Sequence, residues 1–401
     1  MTPSARIAAA IEIIDIWRAG DEGLDRVLTG WGRAHRFAGS GDRHAIADLV
    51  YSAVRRLRSA AFIAGVEEDE VDGRALLRGS LMLDGSDPAR FFTGAKYAPS
   101  RLTEAETRAP EPLAEAPRAV RLDLPGWLET RLVGVEDDAL AALRERAPLD
   151  LRVNLLKLDR AKAIEALEED GIAVDPLPLS PTALRVRERP RLVARSRAYG
   201  EGLVEIQDAA SQAAADLAGV RPGETVLDLC AGGGGKALAL AAALQGQGRV
   251  FAHDASPARI APLSERAARA GAEIEITESG ELHRLAGRLD LVFVDAPCSG
   301  SGAWRRNADA KWRLTQDMLD GLLAVQDDLL DQAAMLAGPH GRVLYATCSL
   351  IRCENEARID AFLTRNPGWR LSAAKTVTPP EGDGFFAALL VRPDAGNMHQ
   401  N

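Results

Sequence analysis

The sequence predicts an α/β protein whose carboxy-terminal half is a doubly wound parallel sheet, with an all-helical region in front. Two observations carry this. After residue 220 the apolar runs TVLDLC (225–230), RVFAH (249–253), EIEIT (273–277), LDLVFVD (289–295) and RVLYAT (342–347) are separated by helical or mixed segments. Short strands alternating with helices close a parallel sheet. Before residue 60, Ile7, Ile11, Ile14 and Trp17, then Ile46, Leu49, Val50, Ala53, Val54 and Leu57, recur at helical spacing.

Composition sets the limits. A chain of 401 residues exceeds what one core organises, so two or three domains are expected. Hydrophobic residues at 46% and charged residues at 27% are ordinary for globular proteins and exclude wholesale disorder. No stretch approaches the roughly 18 uninterrupted apolar residues of a membrane span, and Glu12 and Asp15 lie where a signal peptide would be uncharged. A soluble, cytoplasmic protein is expected. Cys230, Cys298, Cys348 and Cys353 form no CxxC pair, and the six histidines show no ligand spacing, so neither a disulfide framework nor a metal site is expected. The net charge of -9 argues against indiscriminate coating of nucleic acid, although 43 of the 49 basic residues are arginines, the side chain suited to bidentate phosphate contact.

The elements follow in order. Residues 1–125 read as a helical domain and linker. A helix from Ala5 to Gly20 is followed by one N-capped by Asp42, with Arg55, Arg56 and Arg58 in its last turn, either solvated or touching RNA. Pro88, Pro99, Pro110, Pro112 and Pro117 reduce the stretch from Asp84 to Pro125 to a linker with short helices. Residues 126–220 read as a small strand–helix–strand module, with helical GWLETRLV and DALAALRERA, a strand at 151–157 and a helix at 160–171. Its tail, LRVRERPRLVARSRAYG (184–200), carries six arginines and one glutamate, as a phosphate track or a charge-protected edge strand. Residues 221–401 hold the parallel sheet.

Ligands of such sheets bind beyond the carboxyl ends of the strands. The first strand runs into Cys230, Ala231, Gly232, Gly233, Gly234, Gly235 and Lys236, a glycine run opening a helix, where backbone can approach a ligand closely. A Walker phosphate loop would need glycine at Cys230 and a hydroxyl residue at Ala237, so that reading fails. Asp254 ends the second strand 19 residues beyond Gly235, where an acid can accept from ribose hydroxyls. An adenosine-bearing cofactor follows, and the glycine spacing favours S-adenosylmethionine over NAD. The fourth strand ends in Asp295-Ala296-Pro297-Cys298 and the fifth in Thr347-Cys348-Ser349, so two cysteines project from strand tips beside an aspartate.

The set DLCAGGGGKA, DAPCSGSGAWRRNADAKW and LYATCSL followed by ENE resembles the Sun/RsmB family of RNA 5-methylcytosine methyltransferases, over about Leu151 to Val391. RHAIADLVYSAVRR resembles part of a NusB-like helical domain, residues 150–220 resemble the RNA-binding module of the family, and IQDAASQ and Asp383-Gly384-Phe385-Phe386 match further family segments. The resemblance implies a Rossmann-like methyltransferase domain behind that module and the NusB-like domain. It implies methylation of cytosine carbon 5 in RNA, 16S ribosomal RNA above all; a monomer is expected. Cys348 would be the nucleophile adding to carbon 6, Cys298 would serve product release and Asp295 would hydrogen-bond the cytosine edge. Glu278 would lie near the adenine. Arg305, Arg306 and Lys311, with Arg313 beside them, would hold phosphates flanking a flipped base. Pro297-Cys298 alone also fits DNA cytosine-5 methyltransferases, but the second cysteine and the basic RRNADAKW favour the RNA class. A tRNA methyltransferase and a non-catalytic RNA-binding assembly factor are the alternatives. The latter draws on the cofactor loop, where the family reads CAAPGGKT and this chain has Gly232, Gly233 and Ala237.

Overall fold

The structure, a computed structural model, describes residues 1–392. The chain forms two compact units, Met1–Arg146 together with Trp304–Leu314, and Ala147–Ala303 together with the chain from Thr315 onward.

The first unit is helical. Helices α1 (Pro3–Ala19), α2 (Leu24–Ala34), α3 (Ser40–Arg55), α4 (Leu57–Ala64) and α5 (Gly73–Leu83) bury one apolar cluster around Ile13, Trp17, Trp31, Val50 and Leu76. The N-cap of α3 is Gly39, not Asp42, which lies in the first turn and accepts from the Met1 amine and Arg6. The arginines expected at a solvated or RNA-facing helix end are instead internal, because the chain bends at Arg56 and continues as α4. Arg55 and Arg56 are buried, Arg56 pairs with Asp84 at 2.7 Å, and Arg58 donates to the Leu124 carbonyl at 2.7 Å. Between α5 and residue 125 the prolines leave only short helical turns, among them Pro88–Arg90, Leu113–Glu115 and Arg118–Arg121. Gly126–Leu132 and Asp137–Ala142 also belong to this unit.

The second unit begins with a small antiparallel sheet of β1 (Asp150–Val153), β2 (Val174–Pro176), β3 (Ala183–Val186) and β4 (Val204–Ile206), in the order β2-β3-β1-β4. Asp159 caps the helix Arg160–Glu169, which shares an apolar cluster with the strands. The arginine-rich tail is not an edge strand. Only Arg185 lies in a strand, β3, which is interior, and its guanidinium pairs with buried Asp150 at 2.8 Å. Arg187, Arg189, Arg191, Arg195 and Arg197 follow in turns and a short helix, all exposed.

The large sheet contains β5 (Thr225–Asp228), β6 (Arg249–Ala252), β7 (Glu275–Ile276), β8 (Leu289–Asp295), β9 (Ala337–Thr347), β10 (Arg370–Val377) and β11 (Phe385–Val391). Its order is β10-β11-β9-β8-β5-β6-β7, parallel from β9 to β7 and closed by the antiparallel hairpin β10–β11. All five apolar runs thus contribute strands. In β8, Leu291 and Phe293 enter one core while Val292 and Val294 enter the other, which is why a strand covered on both faces reads as a continuous apolar run. From β5 the chain winds to β6 and β7 on one side and returns through β8 and β9 on the other, opening a crevice at the carboxyl ends of β5 and β8. Among the described residues no helix is long and apolar enough to cross a membrane.

Candidate active site

The glycine run leaves β5 and turns into the helix Gly235–Ala243. Gly234 has φ of 84°, and a Cβ there would lie 2.1 Å from Leu263 Cδ1, so both conformation and space require glycine. Asp254 is drawn into this loop: its Oδ2 accepts from the Gly232 amide at 2.9 Å and its Oδ1 from the Ser256 amide at 2.9 Å. His253, buried beside it, bonds the Leu229 carbonyl at 2.8 Å and the Ser279 hydroxyl at 2.9 Å. Nothing in its spacing marked it in the sequence. Glu278 is exposed, just after β7. The Cys230 thiol is pushed up by burial and by the Asp228 charge, which makes it inert.

Two carboxylates and a lysine form the floor. Lys236, its side chain 13% exposed, donates to Asp295 Oδ2 at 2.6 Å. Burial opposes the lysine charge, but Asp295 and Asp228 outweigh it and hold the ammonium above its usual pKa. Asp228 is fully buried and faces the backbone amides of Cys230 and Ala237, which lower its pKa only in part. Burial first, then the Asp295 charge, raises its pKa to about 7. Buried carboxyls are costly, and one at the foot of a backbone cradle suits a cation. S-adenosylmethionine, with a sulfonium and an amine, is compatible with this set: Asp228 would face its positive charge, the glycine run would pass along it, and Asp254 would be the acid nearest the loop.

The two cysteines meet at the next strand tips. Parallel pairing of β8 with β9 sets Asp295 opposite Ala346, and the following loops bring the sulfurs of Cys298 and Cys348 to 3.4 Å. Glu354, fully buried, joins those loops. It accepts from the Ser299 amide at 2.8 Å, from the hydroxyls of Ser299 and Ser349, and from Gln326 Nε2 at 3.1 Å, while Gln326 also donates to the Pro297 carbonyl. The Gly302 amide donates to the Cys348 carbonyl and the Gly384 amide to the Gly302 carbonyl; a Cβ on Gly302 would lie 2.0 Å from the Gly384 oxygen. The contact with Cys348, then burial, pushes the Cys298 thiol well up. Glu354 was legible only as part of a motif, without a role.

The expected RNA contacts divide. Lys311 and Arg305 are not at the surface: they sit in the helical unit, 1% and 3% exposed. Lys311 Nζ donates to the Arg55 carbonyl at 2.8 Å, and burial lowers its pKa to about 8 against the charge of buried Asp123, while the Arg305 carbonyl accepts from Arg55 Nε at 2.9 Å. The Lys311 side chain serves as an internal tie and the Arg305 side chain is buried, which corrects the expectation of surface phosphate contacts for them. Arg306 is exposed, and exposed Arg313 donates to the Asp21 carbonyl at 3.1 Å.

This sheet order, with a glycine loop and acidic strand ends at its switch point, defines the class of Rossmann-like, S-adenosylmethionine-dependent methyltransferases. Residues 216–391 match the family profile described as 16S rRNA methyltransferase RsmB/F, and residues 135–192 match the ferredoxin-like domain of RsmF/B-like methyltransferases. The chain belongs to this family. It is 34% identical to the ribosomal RNA small subunit methyltransferase B of Cronobacter sakazakii over 63% of this chain, which spans 61% of that protein. The crystal structure of a protein called PH0851 superposes with a TM-score of 0.77 at 25% identity, over 98% of this chain and 99% of that one. A methyltransferase homolog from Pyrococcus horikoshii, 24% identical, gives a TM-score of 0.61 over 69% of this chain and 98% of its own and shares the fold.

Two outcomes follow from this geometry. A carboxyl with its folded pKa near 7 and its unfolded value near 3.8 keeps its proton where the unfolded chain has lost it, so its contribution to stability falls as pH rises from about 4 through 7. In cofactor-free protein, Asp228→Asn therefore gains melting temperature over wild type across that window and levels off above it; parallel melting curves from pH 4 to 8.5 would contradict this. Glu354→Ala removes the buried acceptor shared by the Ser299 amide, Gln326 Nε2 and the Ser299 and Ser349 hydroxyls and should cost about 2–4 kcal/mol in denaturant unfolding, with a loss of turnover larger than the fraction unfolded explains.

Proposed function

We propose that this protein transfers a methyl group from S-adenosylmethionine to carbon 5 of a cytosine in RNA, with small-subunit ribosomal RNA as substrate and the cytoplasm as its place of action. The observation that carries this reading is the pair of sulfurs 3.4 Å apart beside Asp295. Carbon 5 of cytosine is a weak nucleophile, and a thiolate bonding to carbon 6 turns it into the nucleophilic end of an enamine. One sulfur must therefore be a thiolate, and the resemblance of LYATCSL to the family motif supports Cys348 in that role, with Cys298, raised by its contact with Cys348 and by burial, as its protonated neighbour.

Asp295 gives one carboxylate oxygen to Lys236, and Oδ1 remains to accept from the ring edge of the cytosine. That hydrogen bond supports protonation at nitrogen 3 as the thiolate adds. When bound, S-adenosylmethionine supplies an electrophilic methyl group; Asp228 and the glycine run hold its place. Once carbon 5 carries the methyl, its proton leaves to a water acting as base, the electron pair reforms the carbon 5–carbon 6 double bond, the Cys348 thiolate departs, and nitrogen 3 returns its proton to solvent. Cys298, in contact with that sulfur, assists the departure by hydrogen-bonding the thiolate as it forms.

The RNA and ribosomal parts of the reading are supported by the family and by the names of its relatives. Exposed Arg187, Arg189, Arg191, Arg195 and Arg197, at the end of the small module, offer phosphate contacts. The test is a pair of variants incubated with 16S rRNA lacking modification and S-adenosylmethionine. Cys298→Ala should accumulate an RNA–protein adduct that survives a denaturing gel. Cys348→Ser should form none and lose methylation by at least about a thousandfold, as removal of a nucleophile does. Methylation by Cys348→Ser would refute the assignment.

A further inference from the structure

The glycine run of the cofactor loop is held from outside itself. Arg266, on the helix Leu263–Ala270, donates from Nη1 to the Gly233 carbonyl at 2.5 Å and from Nη2 to Glu205 Oε2 at 2.9 Å. Glu205 lies on β4 of the small sheet with its side chain 1% exposed, and its other oxygen accepts from Arg269 Nη2 at 2.6 Å. The Arg269 guanidinium in turn lies 4.4 Å over the Tyr199 ring, so the anchor is itself fixed. A planar guanidinium can fork between a carbonyl and a carboxylate in this way. The loop needs such help. Four consecutive glycines lose the most chain entropy when ordered, and the Gly233 amide makes no hydrogen bond among the described residues.

We propose that Arg266, anchored by Glu205, is the positioning residue that fixes the shape of the cofactor loop, supplying the restraint that a proline at position 233 would supply covalently. It thereby ties the small antiparallel sheet to cofactor binding. The two devices compete for one space: a Cβ on Gly233 would lie 3.1 Å from Arg266 Nη1. Gly233 is not among the glycines with positive φ, so the sign of its φ admits proline. Gly233→Pro should therefore be harmful with Arg266 in place and restorative without it. The proposal rests on the cofactor reading above, but its first readout does not.

Hydrogen exchange of the full-length protein without ligand reads the amides of Gly232, Gly234 and Gly235. Arg266→Ala should speed their exchange on the order of tenfold and leave β8 and β9 unchanged, and adding Gly233→Pro should bring the rates of Arg266→Ala back to within about threefold of wild type. Should Arg266→Ala not fold, Arg266→Lys serves, since one ammonium cannot satisfy both acceptors and a smaller rise is expected. Titration calorimetry with S-adenosylhomocysteine should show about tenfold weaker binding for Arg266→Ala, equal to about 1.4 kcal/mol, and recovery in the double variant. Unchanged exchange in the single variants, or a double variant no better than Arg266→Ala, would overturn the proposal. Absence of binding by wild type would instead refute the cofactor reading, while the exchange rates still decide on the brace.

Discussion

The site depends on one constraint, the parallel pairing of β8 with β9. That register places Asp295 opposite Ala346, and each strand continues only a few residues before its cysteine. Two loops must then turn toward the same point, and buried Glu354 makes them do so by accepting from both. A sulfur contact of 3.4 Å is thus a property of the sheet and one carboxylate rather than of either loop alone. Shifting the strand register by one residue would turn one cysteine to the opposite face.

Charge is arranged around this contact in a way that a stable resting protein would avoid. Lys236 and Asp295 form an ion pair whose side chains are 13% and 30% exposed, and fully buried Asp228 lies beside them. Buried carboxylates of this kind cost stability unless a positive group meets them. Burial and the Asp295 charge raise the Asp228 pKa to about 7, so its charge state would respond near neutral pH to a cation brought beside it. A polar network is tolerated on the other side of the crevice because every acceptor of Glu354 is occupied.

Much of this was legible in the sequence, because runs of apolar residues and glycines report backbone demands directly. The β8 run matches its strand residue for residue, and Cys298, Cys348, Asp295, Lys236 and Asp254 all come to one crevice. What failed were readings of arginines and lysines from local charge. Arg55, Arg56, Arg305 and Lys311 look like surface cations in a helical or basic stretch, yet their partners lie tens to hundreds of residues away along the chain. Nothing local announces such a partner. Asp42 was misplaced by three residues for a different reason: a glycine N-cap leaves no side-chain signal, so the acid in the first turn stood in for it. His253, Glu354 and Arg266 escaped because each acts on backbone and side-chain groups brought near by the fold.

The central claim is that Cys348, not Cys298, forms the bond to the pyrimidine. It is tested most directly by incubating the wild-type protein and S-adenosylmethionine with a small-subunit RNA transcript in which cytidine is replaced by 5-fluorocytidine, whose fluorine blocks the final elimination. Digestion and mass spectrometry of the trapped complex should find the nucleotide on the peptide containing Cys348. A nucleotide attached to Cys298, or no attachment at either cysteine, would contradict the account.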